Sequence, residues 1–162
     1  MNGICFTHIT SMKNMVNFPF EVQQAQNDCG PTSLWMIAKY YGINCSYQEI
    51  CKRCRITENG VSLMNLCNCA ESLGFHTLAT KCTVSDMINH IPIPTILYWK
   101  ERHYSVVYYV DDELILIADP MTGNMQYPIA EFSSKWYDES TGNGILLALE
   151  PNESGNSTNI SI

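Results

Sequence analysis

The hydrophobic pattern of this chain changes period about halfway along, and that change restricts the fold more than any other feature. After Pro31, the residues Leu34, Ile37, Ala38 and Tyr41 recur at helical spacing until Gly42 stops them. Ser46-Tyr47-Gln48-Glu49 reads as a capping box for a short second helix, and Ser62 as the cap of a third over Leu63–Leu73, ended by Gly74. Beyond that point the pattern turns to β-branched and aromatic runs. Phe75–Lys81 is a weak strand, Ser85–His90 a short helix, and Thr95–Trp99, Tyr104–Val110 and Glu113–Ala118 are strands. A short strand near Met125–Pro128, a helical turn at Ala130–Trp136 and a last strand at Gly144–Leu149 follow. Helices first and an antiparallel sheet afterwards predict an α+β fold in two layers, N-terminal helices packed on a C-terminal sheet.

The chain of 162 residues is the size of one domain with a proper core, 46% hydrophobic and only 15% charged. Residues 1–17 lack periodicity and are expected to be an N-terminal extension, 18–149 the folded domain, and 150–162 a polar disordered tail. Nine basic against sixteen acidic residues give a formal charge of −7, the wrong sign for a nucleic-acid groove or an anionic membrane surface. No apolar run has the length of a membrane span, and no Gly-x-x-x-x-Gly-Lys-Ser/Thr loop is present. Residues 1–17 have neither the basic start nor the apolar centre of a secretory signal, so a cytoplasmic chain with reduced thiols is expected. By the same reasoning the Asn-x-Ser/Thr sites at Asn152, Asn156 and Asn159 carry little weight as glycosylation sites.

Among the eight cysteines, Cys29 stands apart because it lies where the first helix begins, in Asp28-Cys29-Gly30-Pro31. There a thiol faces unpaired N–H groups and the positive end of the helix dipole, which favour the nucleophilic thiolate. Pro31 suits a first turn, where its missing N–H costs nothing. His103 opens one predicted strand and Asp119 closes the next, so a hairpin could bring the two together. Strand side chains alternate between faces, so His103 and Asp119 can sit opposite each other only with a loop of odd length or a bulge. A strict two-residue Asp111-Asp112 turn would separate them. Together the residues make a thiol-protease triad: Cys29 as nucleophile, His103 as general base and acid, and Asp119 orienting the imidazole. The backbone N–H of Cys29 and the Gln23 amide are the candidate donors for an oxyanion.

Gln23, Asp28-Cys29-Gly30, Met36 and Tyr40-Tyr41-Gly42 resemble the start of the double-glycine leader peptidase domain, a papain-like cysteine protease found at the N-terminus of bacteriocin-processing ABC transporters. Gly60-Val61-Ser62-Leu63, Ala70-Glu71-Ser72-Leu73-Gly74-Phe75, His103-Tyr104-Ser105-Val106-Val107 and Asp119-Pro120 continue the likeness in order, over about residues 18–149. The resemblance implies a papain-like fold and the four roles just given to Cys29, His103, Asp119 and Gln23. It also implies a substrate, the precursor of a bacteriocin or lanthipeptide, cut after a Gly-Gly pair that ends an amphipathic leader helix. The membrane and ATPase domains of an ABC transporter are implied partners. Location at the cytoplasmic face of the membrane follows from those partners. No cofactor and no nucleic acid is implied.

Two readings from other classes stand beside this one. A non-catalytic leader-binding module on the same fold would have no need of Cys29, His103 and Asp119. A zinc site built on Cys51-x2-Cys54 and Cys67-x-Cys69 conflicts with the predicted helix, because residues 67 and 69 lie about 200° apart around its axis. No metal is therefore expected, and the other cysteines are expected to fill core positions.

Overall fold

The computed structural model describes residues 17–153. The expected N-terminal extension lies outside the described residues except for Asn17, as does the tail from residue 154 onward. Three helices come first: α1 (Cys29–Tyr40), α2 (Tyr47–Cys54) and α3 (Leu63–Ser72). They are followed by β1 (Phe75–Cys82), α4 (Val84–His90), β2 (Thr95–Tyr98), β3 (Tyr104–Val110), β4 (Leu114–Asp119), β5 (Gly123–Pro128), α5 (Ile129–Trp136) and β6 (Gly144–Pro151). The strand order β1-β6-β2-β3-β4-β5 makes one six-stranded sheet in which every pairing is antiparallel. β6 runs two residues past its predicted end, and beyond it the Asn152 N–H bonds to Gly74 O (2.8 Å).

Two helices begin where the caps named from sequence place them, at Ser46 and Ser62, and α4 begins one residue before the expected Ser85, behind Thr83. Ser46 caps α2 and Thr83 caps α4 in reciprocal capping boxes with Glu49 and Asp86, and Ser62 accepts from the Asn65 N–H to start α3. The predicted stripe on α1 is buried, Leu34, Ile37 and Ala38 completely, with Met36 alongside. Thr32 and Ser33 are also fully buried, so α1 runs through the interior rather than over the surface.

The expectation of two layers is corrected to three. One core cluster packs α1, α2 and α3 against Ile96, Val106, Ala118, Leu147 and Leu149. A second puts α4 and α5, through Met87, Phe132 and Trp136, against Leu97, Val107, Ile117 and Leu146. Neighbouring residues such as Ile96 and Leu97, or Leu146 and Leu147, serve opposite faces, as a two-residue period requires. The runs look uniformly apolar in sequence because both faces are covered. Each such leucine, once fully buried, contributes about 1.5–3 kcal/mol. The fold remains α+β, with its segregated N-terminal helices intact.

Candidate active site

Cys29 is the first residue of α1 and is 8% exposed. The preceding Asp28 holds the N-cap position, yet its carboxylate caps nothing in the helix. It turns backward instead: Oδ2 accepts from the N–H groups of Gln24 and Ala25, both at 3.0 Å, and from the Tyr47 hydroxyl at the start of α2. No side chain of the N-cap accepts from the first turn of α1, whose third residue, Pro31, has no N–H to offer. Gly30 is needed for closeness. A Cβ there would come 2.5 Å from Val61 Cγ1 and 3.1 Å from the Tyr104 ring, and the Tyr104 hydroxyl itself donates to Val61 O (3.0 Å).

His103 is set by a tight hairpin between β2 and β3. The Trp99 N–H donates to His103 O (2.8 Å), the Arg102 N–H to Trp99 O (3.1 Å), and Arg102 takes a left-handed φ of 60°. These are the marks of a three-residue hairpin loop ending in an αL residue. His103 Nε2 lies 2.8 Å from Asp119 Oδ2, while Asp119 Oδ1 accepts from the N–H groups of Met121 (2.8 Å) and Thr122 (3.1 Å). With Nε2 engaged, the other ring nitrogen is the one left for Cys29, whose proximity helps to hold the imidazole protonated.

The strand register shows how the pair meets, and it corrects one detail. Val106 pairs with Ala118 and Val107 with Ile117, whereas Tyr109 pairs with Leu116 and Val110 with Ile115. The bulge at Tyr108 changes the register by one residue and so undoes the separation that the short turn beyond Val110 would impose. Continuing the register from Ala118 makes Ser105 the neighbour of Asp119. His103, two residues along, is therefore a diagonal neighbour on the same side rather than the directly opposite residue expected.

Burial pushes the imidazole pKa down, but the hydrogen bonds and charges of Asp119 and Cys29 outweigh it and raise His103 to about 9. Asp119 is 7% exposed, and burial alone would raise its pKa. Its bond to His103 and the two backbone N–H groups reverse this and hold the carboxyl below its ordinary range. The arrangement can therefore keep a protonated imidazole between a carboxylate and a thiol at neutral pH. A protonated imidazole in that position is an acid that can protonate a leaving group.

Gln23 is tied into the same region. Its backbone N–H bonds to Pro120 O (2.9 Å), next to Asp119, and its side-chain Nε2 donates to Ala25 O (2.7 Å). The cleft at Cys29 is bordered by Gln26, Asn27, Glu58, Val61, Glu101 and Arg102. Asp28 and Tyr47 are the site residues that sequence reasoning passed over. Asp28 looked like part of a motif and Tyr47 like part of a capping box, and nothing in either pattern says which way the carboxylate turns. The thiols of the zinc reading diverge: Cys54 and Cys69 meet in the core, while Cys67 lies against Thr77. Among the described residues no group of three or more His, Cys, Asp or Glu side chains could hold a metal ion.

A helical layer carrying a cysteine at its first N-terminus, set against a sheet end that carries a His–Asp pair, defines the architecture of papain-like peptidases. The chain belongs to the peptidase C39 family, whose pattern matches residues 17–154. Over 134 residues it is 34% identical to the lactococcin-G-processing and transport ATP-binding protein LagD of Lactococcus lactis subsp. lactis, covering 80% of this chain and 18% of LagD. It is 29% identical over 144 residues to a protein of Methanothermobacter marburgensis, covering 88% of this chain and 97% of that one. In fold it is similar to the crystal structure of a double glycine motif protease from an AMS/PCAT transporter in complex with its leader peptide. That likeness has a TM-score of 0.76 at 22% identity, covering 84% of this chain and 93% of the other. The chain thus spans less than a fifth of the length of LagD and nearly all of the archaeal relative.

Proposed function

We propose that this chain is a cysteine endopeptidase that removes the leader from ribosomally made peptide precursors by cutting after a Gly-Gly pair. The reading rests above all on the 2.8 Å His103–Asp119 bond at the N-terminus of the helix that begins with Cys29. Cys29 Sγ, as thiolate, attacks the carbonyl of the second glycine while the backbone N–H of Cys29 and the Gln23 amide receive the oxyanion. The imidazolium of His103 protonates the departing amine, leaving a thioester on Cys29. Water, deprotonated by the now neutral His103, then hydrolyses the thioester and restores the ion pair. Asp119 keeps the ring oriented throughout.

A Gly-Gly requirement means a cleft narrow enough to exclude every side chain next to the scissile bond, and Val61 and Tyr104, which pack closely on Gly30 and border the cleft, are the residues to form its wall. Affinity would then come from an amphipathic leader helix docked on an apolar surface, and precursor delivery from the membrane and ATPase domains of an ABC transporter at the cytoplasmic face. Among the described residues no helix is long and apolar enough to cross a membrane, so the spans of such a transporter would lie in other domains or another chain.

The test is incubation with synthetic precursor peptides whose leader ends in Gly-Gly, read by mass spectrometry, beside the Cys29→Ala variant. Cleavage after the second glycine by the wild type alone is expected. Tight binding without cleavage would instead make the domain a leader-holding module.

A further inference from the structure

We propose that Asp28, locked by Tyr47, is a positioning residue that holds Gln23 in place as the oxyanion donor, acting through Ala25. The proposal rests on the peptidase reading above and adds to it a residue with a task distinct from those of the triad.

The contacts form a continuous line. Asp28 is 1% exposed, and its Oδ2 gathers three donors, the N–H groups of Gln24 and Ala25 and the Tyr47 hydroxyl. The two backbone bonds bend the segment before Cys29 into a closed turn. That turn aims Ala25 O at the Gln23 side chain, which donates to it at 2.7 Å. A primary amide has two N–H bonds, so one held by Ala25 O fixes the direction of the other. The Gln23 backbone is anchored separately through its N–H to Pro120 O, beside the triad's carboxylate. A donor preorganised in this way costs no rearrangement when charge develops on the substrate oxygen, and that is the source of oxyanion catalysis.

Burying a carboxylate one residue before a nucleophilic thiol is otherwise unfavourable, since the like charges would repel. An ordinary N-cap role does not account for it, because Asp28 caps no N–H of α1. The backward turn gives it a use, and Tyr47 is well suited to hold it there. Burial, followed by the bond to Asp28, raises the phenol pKa, so Tyr47 stays a donor. Its ring also packs on Trp35 at 5.4 Å between centroids, which ties the lock to α1.

The experiment compares D28A, D28N, Y47F, Q23A and D28A/Q23A, each shown to be folded by thermal melting. The probes are cleavage of a Gly-Gly leader peptide and alkylation of Cys29 by iodoacetamide. Alkylation needs the thiolate but no oxyanion donor, so it separates the two tasks. D28A is expected to lower kcat about ten- to a hundredfold with KM and the alkylation rate within about twofold, and Q23A to lower kcat about a hundredfold. D28A/Q23A should be no slower than Q23A, because both act through one amide. D28N preserves an acceptor for the same three donors and should stay within about threefold of wild type.

Multiplying effects of D28A and Q23A would overturn the proposal, as would alkylation that slows in step with cleavage. If D28A does not fold, Y47F decides: a kcat loss of about three- to tenfold that disappears in the Q23A background supports the proposal, and wild-type kcat in folded Y47F overturns it. The side-chain amide resonances of Gln23 supply a readout independent of peptide cleavage. They should shift toward free-amide positions in Y47F and in D28A but not in D28N, and unchanged resonances would overturn the proposal. If the wild type cuts no Gly-Gly peptide, the peptidase reading falls, while these resonances still decide whether Asp28 positions Gln23.

Discussion

The N-terminus of α1 and those of α2, α3 and α4 solve the same problem in opposite ways. The three shorter helices close their first turns with their own side chains, Ser46, Ser62 and Thr83 each accepting the N–H three residues on. α1 has a capping residue of the right type, Asp28, but directs it away from the helix. A closed terminus gains stability locally, whereas an open one keeps donors and dipole for a ligand. Only at the open terminus does a cysteine come first, and there a His–Asp pair from the sheet meets it. α5, whose N-cap Pro128 offers no side-chain acceptor, is open as well, so it is the company of Cys29, His103 and Asp119, and not openness alone, that sets the α1 terminus apart.

His103→Ala should give the largest effect on the open side, lowering kcat on a Gly-Gly peptide about 10²–10⁴-fold and lowering the melting temperature as well, because the buried Asp119 loses its partner. Cleavage kinetics alongside thermal melting measure both; an unimpaired rate would break the comparison at its centre. Gly30→Ala should come next. Its added Cβ meets Val61 Cγ1 at 2.5 Å, so overpacking of about 1–3 kcal/mol is expected in urea unfolding, with slower cleavage because the displaced Val61 and Tyr104 border the cleft. Ser62→Ala, on a closed terminus, should cost about 1 kcal/mol of stability and leave kcat and KM as they were. A clear change in kcat there would show that the closed ends also serve the site.

The smallest effect concerns pH. The folded pKa of His103, about 9, lies above the ordinary 6.5, so protonation favours the folded state. The stability this supplies is complete below about pH 6.5 and is lost as pH rises through about 9. Asp119 contributes with the opposite sign: its lowered pKa stabilises above the ordinary carboxylate range, and that share disappears as pH falls through the folded value. In Asp119→Asn the decline of the urea midpoint between pH 6.5 and 9 should be shallower than in the wild type. An identical decline would mean that Cys29 alone holds the imidazole charged.

Much of this was legible in the chain because the signals are local. Caps at Ser46 and Ser62, the stripe from Leu34 to Ala38, and the position of Cys29 before Pro31 depend on residues within one or two turns. The meeting of His103 with Asp119 was legible as a condition on parity, and the bulge at Tyr108 is one of the two ways of meeting it. Less was visible of the second helical layer. Ala130–Trp136 looked like a helical turn, and its partners Leu97 and Leu146 are far from it in sequence.

The sequence alone determined what short-range chemistry controls: which segments become helices or strands, where the helices capped by Ser46 and Ser62 begin, and which residue types stand at the start of α1 and at the ends of β3 and β4. The tertiary structure decided what long-range contacts control. It set β6 between β1 and β2, covered both faces of the sheet, and made His103 and Asp119 diagonal neighbours rather than opposite ones. It also turned the Asp28 carboxylate away from its own helix and toward Tyr47, nineteen residues on. The reason is physical: a carboxylate accepts from whichever donors the packed chain brings within reach, and residue type alone names no partner.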